Sequence, residues 1–404
     1  MRKIAIAAAF SICTIVSIAQ EDTIRVMYYN LLNYPNIAQE RADTLKKIID
    51  HTQPDMFVVN ELTSSFGATL IMSNALNVGG TTSYAQANFV NGPDTDNMFF
   101  YNSDKIGLKE QNEIATALRD INEYICYYKS ADIATTTDTI FFYVYSVHLK
   151  ASSGSSNENQ RYQEAVVLKN YIDNQPNAEN VLIGGDFNIY GASEPAFDEI
   201  VNGGNMAMHD PINMVGEWNT NFGYRFVHTQ STRTTAFNGG STGGMDDRFD
   251  FIFINDEVQD GSARAEYIDG SYRAVGQDGN HFNFAMNAGS NTSEPADVIN
   301  ALYEMSDHLP VYMEIAVGGT VGVQEQNNLL SNYNLQNGVL NIWLHEVQKE
   351  LEINVFDLSG KLISRTTRRN VEFLTHPLSG LSQGLYVVQL KSGFNTTSFR
   401  LFQP

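Results

Sequence analysis

The sequence contains only two cysteines, Cys13 and Cys126, in 404 residues. Cys13 lies in an N-terminal stretch with the features of a segment removed on export, which leaves one cysteine and excludes an intrachain disulfide. Such a chain must be stabilised by its core or by bound metal. Cys126 lies in a strand-like run, residues 124–128, and is expected to be a buried apolar side chain rather than a catalytic thiol, because no neighbouring base activates it.

Long apolar runs are absent beyond the N-terminus. Residues 1–19 combine Arg2 and Lys3, an apolar body and a small-x-small site at residues 17–19, which is typical of a secretory signal peptide. No other stretch approaches the roughly 18 apolar residues that span a bilayer. The sequence therefore predicts a soluble, exported protein without a membrane span.

Positive charge is scarce, with 25 Lys and Arg against 46 Asp and Glu and a net charge of −21. Residues 319–404 carry seven basic and six acidic side chains, so the negative charge is concentrated in residues 20–318. A large nucleic-acid-binding surface is not indicated, because affinity for a polyanion comes mainly from Lys and Arg that replace counterions. The acidity fits cation binding, or export into salty surroundings that screen surface charge.

Strand-like and helix-like segments alternate through residues 20–318, which indicates a mixed α/β sandwich. Two loops rich in Gly, Thr and Asn interrupt the pattern at residues 219–247 and 276–297, and loops of this length are usually functional or mobile. The predicted strands are 23–29, 55–61, 84–87, 98–108, 139–149, 180–185, 248–254 and 310–317, and the predicted helices are 37–50, 66–76 and 157–174.

A change in composition follows. Residues 319–334 are rich in Gly, Asn and Gln, which predicts a linker. Residues 335–404 contain short strands at 339–344, 351–357, 385–390 and 398–402 separated by Gly-containing turns, which predicts a small all-β sandwich.

One stretch in the first region carries chemistry. The apolar run 181–183 ends in Gly184 and Gly185 and is followed by Asp186 and Asn188. Alternation along a strand places residues i and i+2 on the same side, so these two side chains point together from the end of a buried strand. A carboxylate beside a carboxamide suits a phosphate bound to magnesium or calcium, although the same residue types also make ordinary turns.

Other strands end in polar residues that a strand does not need, namely Asn30, Glu61 and His148. Asp250 shares its strand face with Ile252, and an ionised carboxylate among apolar side chains is costly unless it is paired. The natural partner is His308, just before the last strand, because an Asp–His pair fixes the imidazole tautomer and raises its basicity.

Six motifs follow one another over nearly all of residues 23–318. They are Tyr29-Asn30-Leu31-Leu32-Asn33-Tyr34, Asn60-Glu61, Ser146-Val147-His148-Leu149-Lys150, Gly185-Asp186-Phe187-Asn188, Asp247-Arg248-Phe249-Asp250-Phe251-Ile252 and Ser306-Asp307-His308-Leu309-Pro310. In type and in order these motifs resemble those of the endonuclease/exonuclease/phosphatase superfamily. The resemblance implies a four-layer α/β sandwich, with two mixed sheets flanked by helices and the active site where strand ends converge.

The same resemblance implies a metal site for Mg²⁺, or for Mn²⁺ or Ca²⁺. Glu61 is expected to be the main ligand, with help from Asn30 and Asp307, although Asp307 could instead cap the following turn. Asn33 could be a ligand or a substrate contact, or could only form a turn.

Catalytic roles are implied for five residues. Asp186 is expected to orient or deprotonate the attacking water, Asn188 to hold the phosphate or a second cation, and His148 to donate to a phosphate oxygen. His308, oriented by Asp250, is expected to stabilise developing charge or to move a proton. Carboxylates and histidines suit the hydrolysis of a phosphodiester. The negative charge of a phosphodiester repels nucleophiles unless cations and hydrogen-bond donors offset it.

Arg161 follows a Ser/Asn loop at the start of the predicted helix 157–174. It could reach the substrate phosphate, which we favour because cations are few in this region, or it could be a solvated face residue.

The C-terminal residues 322–404 resemble a type IX secretion sorting domain of Bacteroidetes-type bacteria, through residues 353–362 and 378–388. The ending Leu401-Phe402-Gln403-Pro404 lacks the basic terminal residue of that pattern, so the chain could be released, anchored or trimmed. A carbohydrate- or protein-binding β-module is the competing reading.

Together these features predict a monomeric, secreted metal-dependent phosphodiesterase, a nuclease acting on extracellular DNA or RNA. The alternative within enzymes is a phosphatase or phosphodiesterase for small or lipid phosphoesters, which the acidic charge favours. An adhesion module with a relic enzyme fold is disfavoured, because a dead site has no need for clustered carboxylates.

Overall fold

The computed structural model of the chain describes residues 22–35, 41–131, 133–134, 139–237, 239–318, 329–336, 338–357, 361–378, 381, 384–392 and 395–403. The chain divides into two compact units, residues 1–320 and 321–404. The predicted signal peptide (1–19) and residues 319–328 of the predicted linker lie outside the described residues.

The first unit alternates strands and helices, as its hydrophobic pattern predicts. In chain order its elements are β1 (Asp22–Tyr34), α1 (Ala42–Thr52), β2 (Met56–Leu62), α2 (Ser65–Leu70), β3 (Tyr84–Gln86), β4 (Asp96–Asn102), β5 (Ile106–Ile114), β6 (Ile121–Tyr128), β7 (Phe141–His148), α3 (Ser155–Asp173), β8 (Val181–Asp186), α4 (Pro195–Asn202), β9 (Met208–His209), β10 (Asp250–Asn255), α5 (Asp256–Asp260), β11 (Ala265–Tyr267), β12 (Arg273–Ala274), α6 (Ala296–Met305) and β13 (Val311–Val317).

These strands form two mixed sheets. The first has the order β11-β13-β1-β2-β4-β3, with β12 also paired to β13, and the second has the order β5-β6-β7-β8-β10-β9. Each sheet contains one parallel pair, β1 with β2 and β7 with β8, while the other pairings are antiparallel. The carboxyl ends of each parallel pair therefore lie together at one edge of the sheet.

Side chains alternate between two environments along the central strands. In β1, Val26 and Tyr28 face the core between the sheets, and Met27 and Tyr29 face the core shared with α1 and α6. In β8, Ile183 faces a third core that includes residues of α3 and α4. The layers therefore run helices, sheet, sheet, helices, which confirms the predicted four-layer α/β sandwich.

Gly184 and Gly185 are required by close contacts at the end of β8. A Cβ at Gly184 would lie 2.6 Å from the Tyr28 ring of the facing sheet. Gly185 has a φ of +131°, and a Cβ there would lie 2.1 Å from the Val147 carbonyl oxygen. The two glycines let the sheets and the strand ends approach each other beneath the site.

One predicted strand is wrong. Residues 98–108 form not one strand but parts of β4 and β5, because Asn102-Ser103-Asp104 makes a turn closed by a hydrogen bond from Lys105 N to the Asn102 carbonyl (3.1 Å). Asn, Ser and Asp are common turn residues, so the sequence did indicate a turn here, but the apolar run before it favoured a continuous strand.

Cys126 is buried between the sheets as predicted, and burial raises the pKa of its thiol.

The second unit is all-β, as predicted, and its strands belong to one hydrogen-bonded sheet. The predicted strands 339–344 and 351–357 are one long strand, and residues 330–334 of the predicted linker belong to a strand whose Leu330 and Leu335 pack on the core. Its strands are β14 (Leu330–Gln336), β15 (Val339–Phe356), β16 (Leu362–Pro377), β17 (Gly384–Ser392) and β18 (Asn395–Gln403). No helix among the described residues is long and apolar enough to cross a membrane.

Gly184→Ala is expected to lower the free energy of unfolding of the first unit by about 1–3 kcal/mol, because the added methyl group overpacks the contact with Tyr28. The chain has two tryptophans, Trp218 and Trp343, so urea unfolding followed by fluorescence in a Trp343→Phe background reports on the first unit. Gly223→Ala, in an exposed turn, is the control and should change stability little. Equal midpoints for the two variants would contradict the close packing of the sheets.

Candidate active site

The two parallel strand pairs bring the predicted polar strand ends together. Asn30 of β1 lies beside Asn60 of β2, and His148 of β7 lies beside Asp186 of β8. Glu61 follows Asn60 in β2. All of these side chains are buried except that of Glu61, which is 17% exposed.

Asn30 joins the two sheets at the centre of the site. Its amide nitrogen donates to Glu61 Oε1 (3.0 Å) and to Asp186 Oδ2 (3.0 Å). Its amide oxygen accepts from the Leu32 backbone N–H (3.0 Å), and the Asn33 N–H donates to Glu61 Oε2 (2.8 Å). One amide therefore holds two carboxylates, buried Asp186 and partly buried Glu61, at a fixed separation.

Two histidines flank Asp186. His148 Nε2 and His308 Nε2 each lie 3.6 Å from Asp186 Oδ2, and His148 Nε2 is also 3.9 Å from Glu61 Oε1. The predicted Asp250–His308 pair is formed, with His308 Nδ1 at 2.8 Å from Asp250 Oδ2. Asp186 is thus the common neighbour of both imidazoles.

Burial dominates the electrostatics. It raises the pKa of Asp186 to about 7, with the negative charges of Asp250 and Glu61 adding to the effect, and it raises the pKa of Glu61, helped by Asp307. Burial, with the nearby Arg119 cation, holds the pKa of His148 well below its usual value. Burial also lowers that of His308, but the adjacent carboxylates of Asp250 and Asp186 outweigh it and raise the pKa well above its usual value.

The backbone around the site is unusual. Leu32, Asn33, Glu61 and Asn188 are non-glycine residues with φ values of 50°, 47°, 59° and 52°. Left-handed conformations of this kind cost free energy and persist where surrounding contacts hold them, most often at functional sites. Here the loops after β1, β2 and β8 all turn immediately beside the carboxylates.

The donor set fits a divalent cation. Ligand atoms of Glu61, His148 and Asp186 lie within 4.8 Å of one another. Asp307 accepts from the Ser241 N–H through Oδ2 (2.6 Å), whereas its Oδ1 is buried without a hydrogen-bond partner among the described residues. A buried carboxylate oxygen in this state is costly unless a cation or water reaches it.

Asn188 and Asn60 hold the end of β8. The Asn188 N–H donates to Asp186 Oδ1 (3.0 Å), and its side-chain amide donates to the Leu149 carbonyl (3.2 Å). Asn60 Oδ1 accepts from the Asp186 N–H (3.2 Å) while its amide donates to Asn97 Oδ1 (2.6 Å). A buried amide network therefore orients the Asp186 carboxylate.

Sequence reasoning missed Gln230 and Arg119. The Gln230 side-chain amide lies 2.5 Å from His308 Nε2. The amide oxygen accepts a hydrogen bond when Nε2 is protonated, and the amide nitrogen donates one when Nε2 is neutral. Arg119 donates to the Leu149 carbonyl (3.2 Å) and pairs with Asp94 (2.9 Å). The only signal for Gln230 was its place in the long loop 219–247.

Arg161 is not brought to the cluster. Its fully buried guanidinium pairs with Glu194 (2.8 and 3.0 Å) and donates to the carbonyls of Lys150 and Ser152 (2.8 Å each). These contacts leave it a positioning role for the segment after β7 rather than the expected contact with substrate. The sequence around Arg161 does not indicate that its partner is Glu194, which lies 33 residues later in the chain.

Residues 27–308 match the model of the Endonuclease/Exonuclease/phosphatase family. The chain belongs to this family. It is therefore a phosphoric ester hydrolase of a family whose enzymes use divalent metal ions. Residues 334–402 match the secretion system C-terminal sorting domain, which indicates export through type IX secretion to the cell surface or extracellular space.

Three solved structures are similar to this chain at low sequence identity. A zebrafish (D. rerio) TDP2 humanized by 14 mutations is 16% identical, with 72% of this chain and 98% of that chain covered and a TM-score of 0.47. The human Nocturnin catalytic domain is 14% identical, with 74% and 97% covered and a TM-score of 0.44. Beta toxin from Staphylococcus aureus is 14% identical, with 72% and 99% covered and a TM-score of 0.42. No curated protein matches the chain.

The raised pKa of Asp186 predicts a pH-dependent stability of the family enzyme when metal is chelated. In the folded state the Asp186 carboxyl keeps its proton up to about pH 7, whereas the ordinary pKa of an Asp carboxyl is 3.8. The contribution of this proton to the stability of the folded state is therefore fully present below pH 3.8 and is lost as the pH rises through 7. The free energy of unfolding should fall from pH 5 to pH 8, and less steeply in Asp186→Asn. Urea unfolding in chelator measures it, with exposed Asp269→Asn as control. Parallel slopes in the Asp186 variant and wild type would contradict the assignment.

Asp250→Asn should lower kcat by about 10²–10⁴-fold with a smaller change in KM, because the amide no longer favours the cationic, correctly oriented His308. Steady-state kinetics on bis-p-nitrophenyl phosphate measure both constants. The lower pKa of His308 should also move one limb of the pH–rate profile to lower pH. A loss confined to KM would mean that the pair serves binding only.

Proposed function

We propose that the protein is a secreted, divalent-metal-dependent phosphodiesterase whose substrate is extracellular nucleic acid, DNA or RNA. The observation that carries the hydrolytic part is Asp186, a buried carboxylate between two imidazoles and bonded through Asn30 to a second carboxylate, Glu61. This arrangement offers a base, hydrogen-bond donors and a cation site within one cluster.

We assign the metal site to Glu61 as the main ligand, with Asp307 and Asn30. The unpartnered Asp307 Oδ1 and the raised pKa of Glu61 support it, because a cation relieves both. As placed, Asn30 turns its amide nitrogen to the carboxylates, so ligation through its oxygen requires the amide to rotate. Mg²⁺ fits best, since it takes one or two carboxylates and keeps waters, with Mn²⁺ or Ca²⁺ as substitutes. The bound ion would supply electrostatic stabilisation of the charge that builds on phosphoryl oxygens.

The protein side chains move the proton and hold the phosphate. Asp186 Oδ2 accepts a proton from the attacking water, and a pKa near ambient pH suits a general base. His308, kept cationic by Asp250, places its positive charge beside the phosphate and offsets the charge that develops there. Neutral His148 donates a hydrogen bond from a ring nitrogen to a phosphate oxygen. Asn188 contributes its amide at the phosphate side.

A phosphatase or phosphodiesterase for small or lipid phosphoesters is the second candidate. The observation that favours it is the excess of acidic residues, 46 against 25 basic ones, which weakens the attraction of a long polyanion. The wide polar loops favour a polymer instead. We also propose that residues 1–19 act as the signal peptide and that the enzyme is a monomer.

Glu61→Ala should lower kcat/KM at least about 10³-fold, because several kcal/mol of charge stabilisation are lost with the metal. Hydrolysis of supercoiled plasmid and of bis-p-nitrophenyl phosphate is measured with magnesium, manganese, calcium or a chelator. Partial rescue at raised magnesium would show weakened metal affinity. Glu266→Ala, an exposed carboxylate on β11, is the matched control and should keep wild-type activity.

Plasmid nicking that requires metal supports the nuclease. Cleavage of the small diester with intact plasmid would move the function to small or lipid phosphoesters. Unchanged activity in a Glu61→Ala, His308→Ala double variant would refute the enzymatic assignment altogether.

A further inference from the structure

Three phenylalanines stand exposed on the two long loops at residues 219–247 and 276–297. Phe222, Phe226 and Phe284 are 58%, 54% and 59% exposed. Arg225 lies between the first two, with its guanidinium carbon 4.1 Å from the Phe222 ring centroid and 4.2 Å from that of Phe226. We call Phe222, Arg225, Phe226 and Phe284 the aromatic patch.

The patch is held in place. Arg225 donates to the Phe222 carbonyl (3.1 Å), and the Phe222 ring meets Phe282 edge to face at 5.5 Å. Phe226 lies against Gly279, where a Cβ would fall 2.1 Å from its ring. The two loops therefore brace each other, and a ligand that stacks on these rings loses little to their ordering.

The patch lies on chain segments that also reach the active site. Phe226 is four residues before Gln230, whose amide lies 2.5 Å from His308 Nε2, so their Cα atoms are at most about 14 Å apart. Phe284 is tied to the same region, since its carbonyl accepts from the Met245 N–H (3.1 Å).

The chemistry of the patch suits nucleobases. Aromatic rings stack on any base, and this affinity needs no positive charge, whereas the acidic protein has few cations to offer to phosphates. A guanidinium between two rings adds one positive charge and a further planar surface. Stacking is open to bases that are unpaired, as in a single strand.

We propose that the aromatic patch is a substrate subsite that stacks the bases of single-stranded nucleic acid whose phosphodiester is held at Asp186. This rests on the proposed function and narrows its substrate class. A lipid surface is disfavoured because insertion of the rings would carry Arg225 with them, and exposed Asn221 and Asn283 border the patch.

The test compares wild type with Phe222→Ser/Phe226→Ser/Phe284→Ser, and with the single Phe284→Ala in case the triple variant does not fold. The full chain is used, and Phe373→Ala, an equally aromatic exposed site in the second unit, is the control. Hydrolysis of a 12-nucleotide single-stranded oligonucleotide and of bis-p-nitrophenyl phosphate is measured with magnesium. Binding of the labelled oligonucleotide to the chelated proteins, and of all variants to phosphatidylcholine–sphingomyelin vesicles, is measured separately.

In the triple variant we expect kcat/KM on the oligonucleotide and its affinity to fall tenfold or more, with bis-p-nitrophenyl phosphate hydrolysis within twofold of wild type. Phe284→Ala should show a smaller loss in the same direction. Wild-type affinity should fall only about threefold from 50 to 200 mM salt, as one released counterion predicts.

An equal loss on both substrates, or no loss on the oligonucleotide, would overturn the subsite. Vesicle binding that depends on the patch, without oligonucleotide binding, would overturn it in favour of a lipid surface. Patch-dependent oligonucleotide binding by a wild-type protein that hydrolyses neither diester would instead refute the proposed function and leave the subsite standing.

Discussion

The site depends on keeping two carboxylates, that of buried Asp186 and that of partly buried Glu61, side by side. Like charges at this separation repel, and removal from water costs more in a low-dielectric interior. The Asn30 amide offsets part of this by donating to both groups, and the Asn33 and Asn188 backbone amides donate to one each. Because these donors are neutral, the negative charge remains, and the proposed cation site and general base both depend on this remaining charge.

Much of this could be predicted from the sequence, since the determining signals are local. Period-2 alternation and apolar runs that end in a polar residue identified the strands carrying Glu61, His148 and Asp186, and the cost of an unpaired buried carboxylate identified the Asp250–His308 pair. What could not be predicted depends on distant chain segments. Gln230 reaches His308 from an aperiodic loop, and Arg161 is taken up by Glu194, a residue no local pattern connects to it.

The two units differ in how much of their structure the local sequence indicates. In the first, glycine positions report tight contacts, so Gly184 and Gly185 explain why the sheets meet beneath the site. In the second, the strand β15 runs through a polar stretch at residues 345–350 that reads as a break, because pairing with β16 rather than hydrophobic pattern keeps it extended. Strand pairing supplied by another segment is invisible to periodicity.

The pairing of β1 with β13 joins the two ends of the first unit, Asp22 opposite Val317. Contacts between residues so distant in sequence form slowly, because closing a long loop costs conformational entropy before the contacts stabilise the chain. Asp307 and His308 lie just ahead of β13, so the last part of the first unit to be synthesised carries two residues of the candidate site. A chain that has not yet made or paired this segment lacks His308 beside Asp250 and Asp186, so the candidate site exists only once the two ends of the first unit have met.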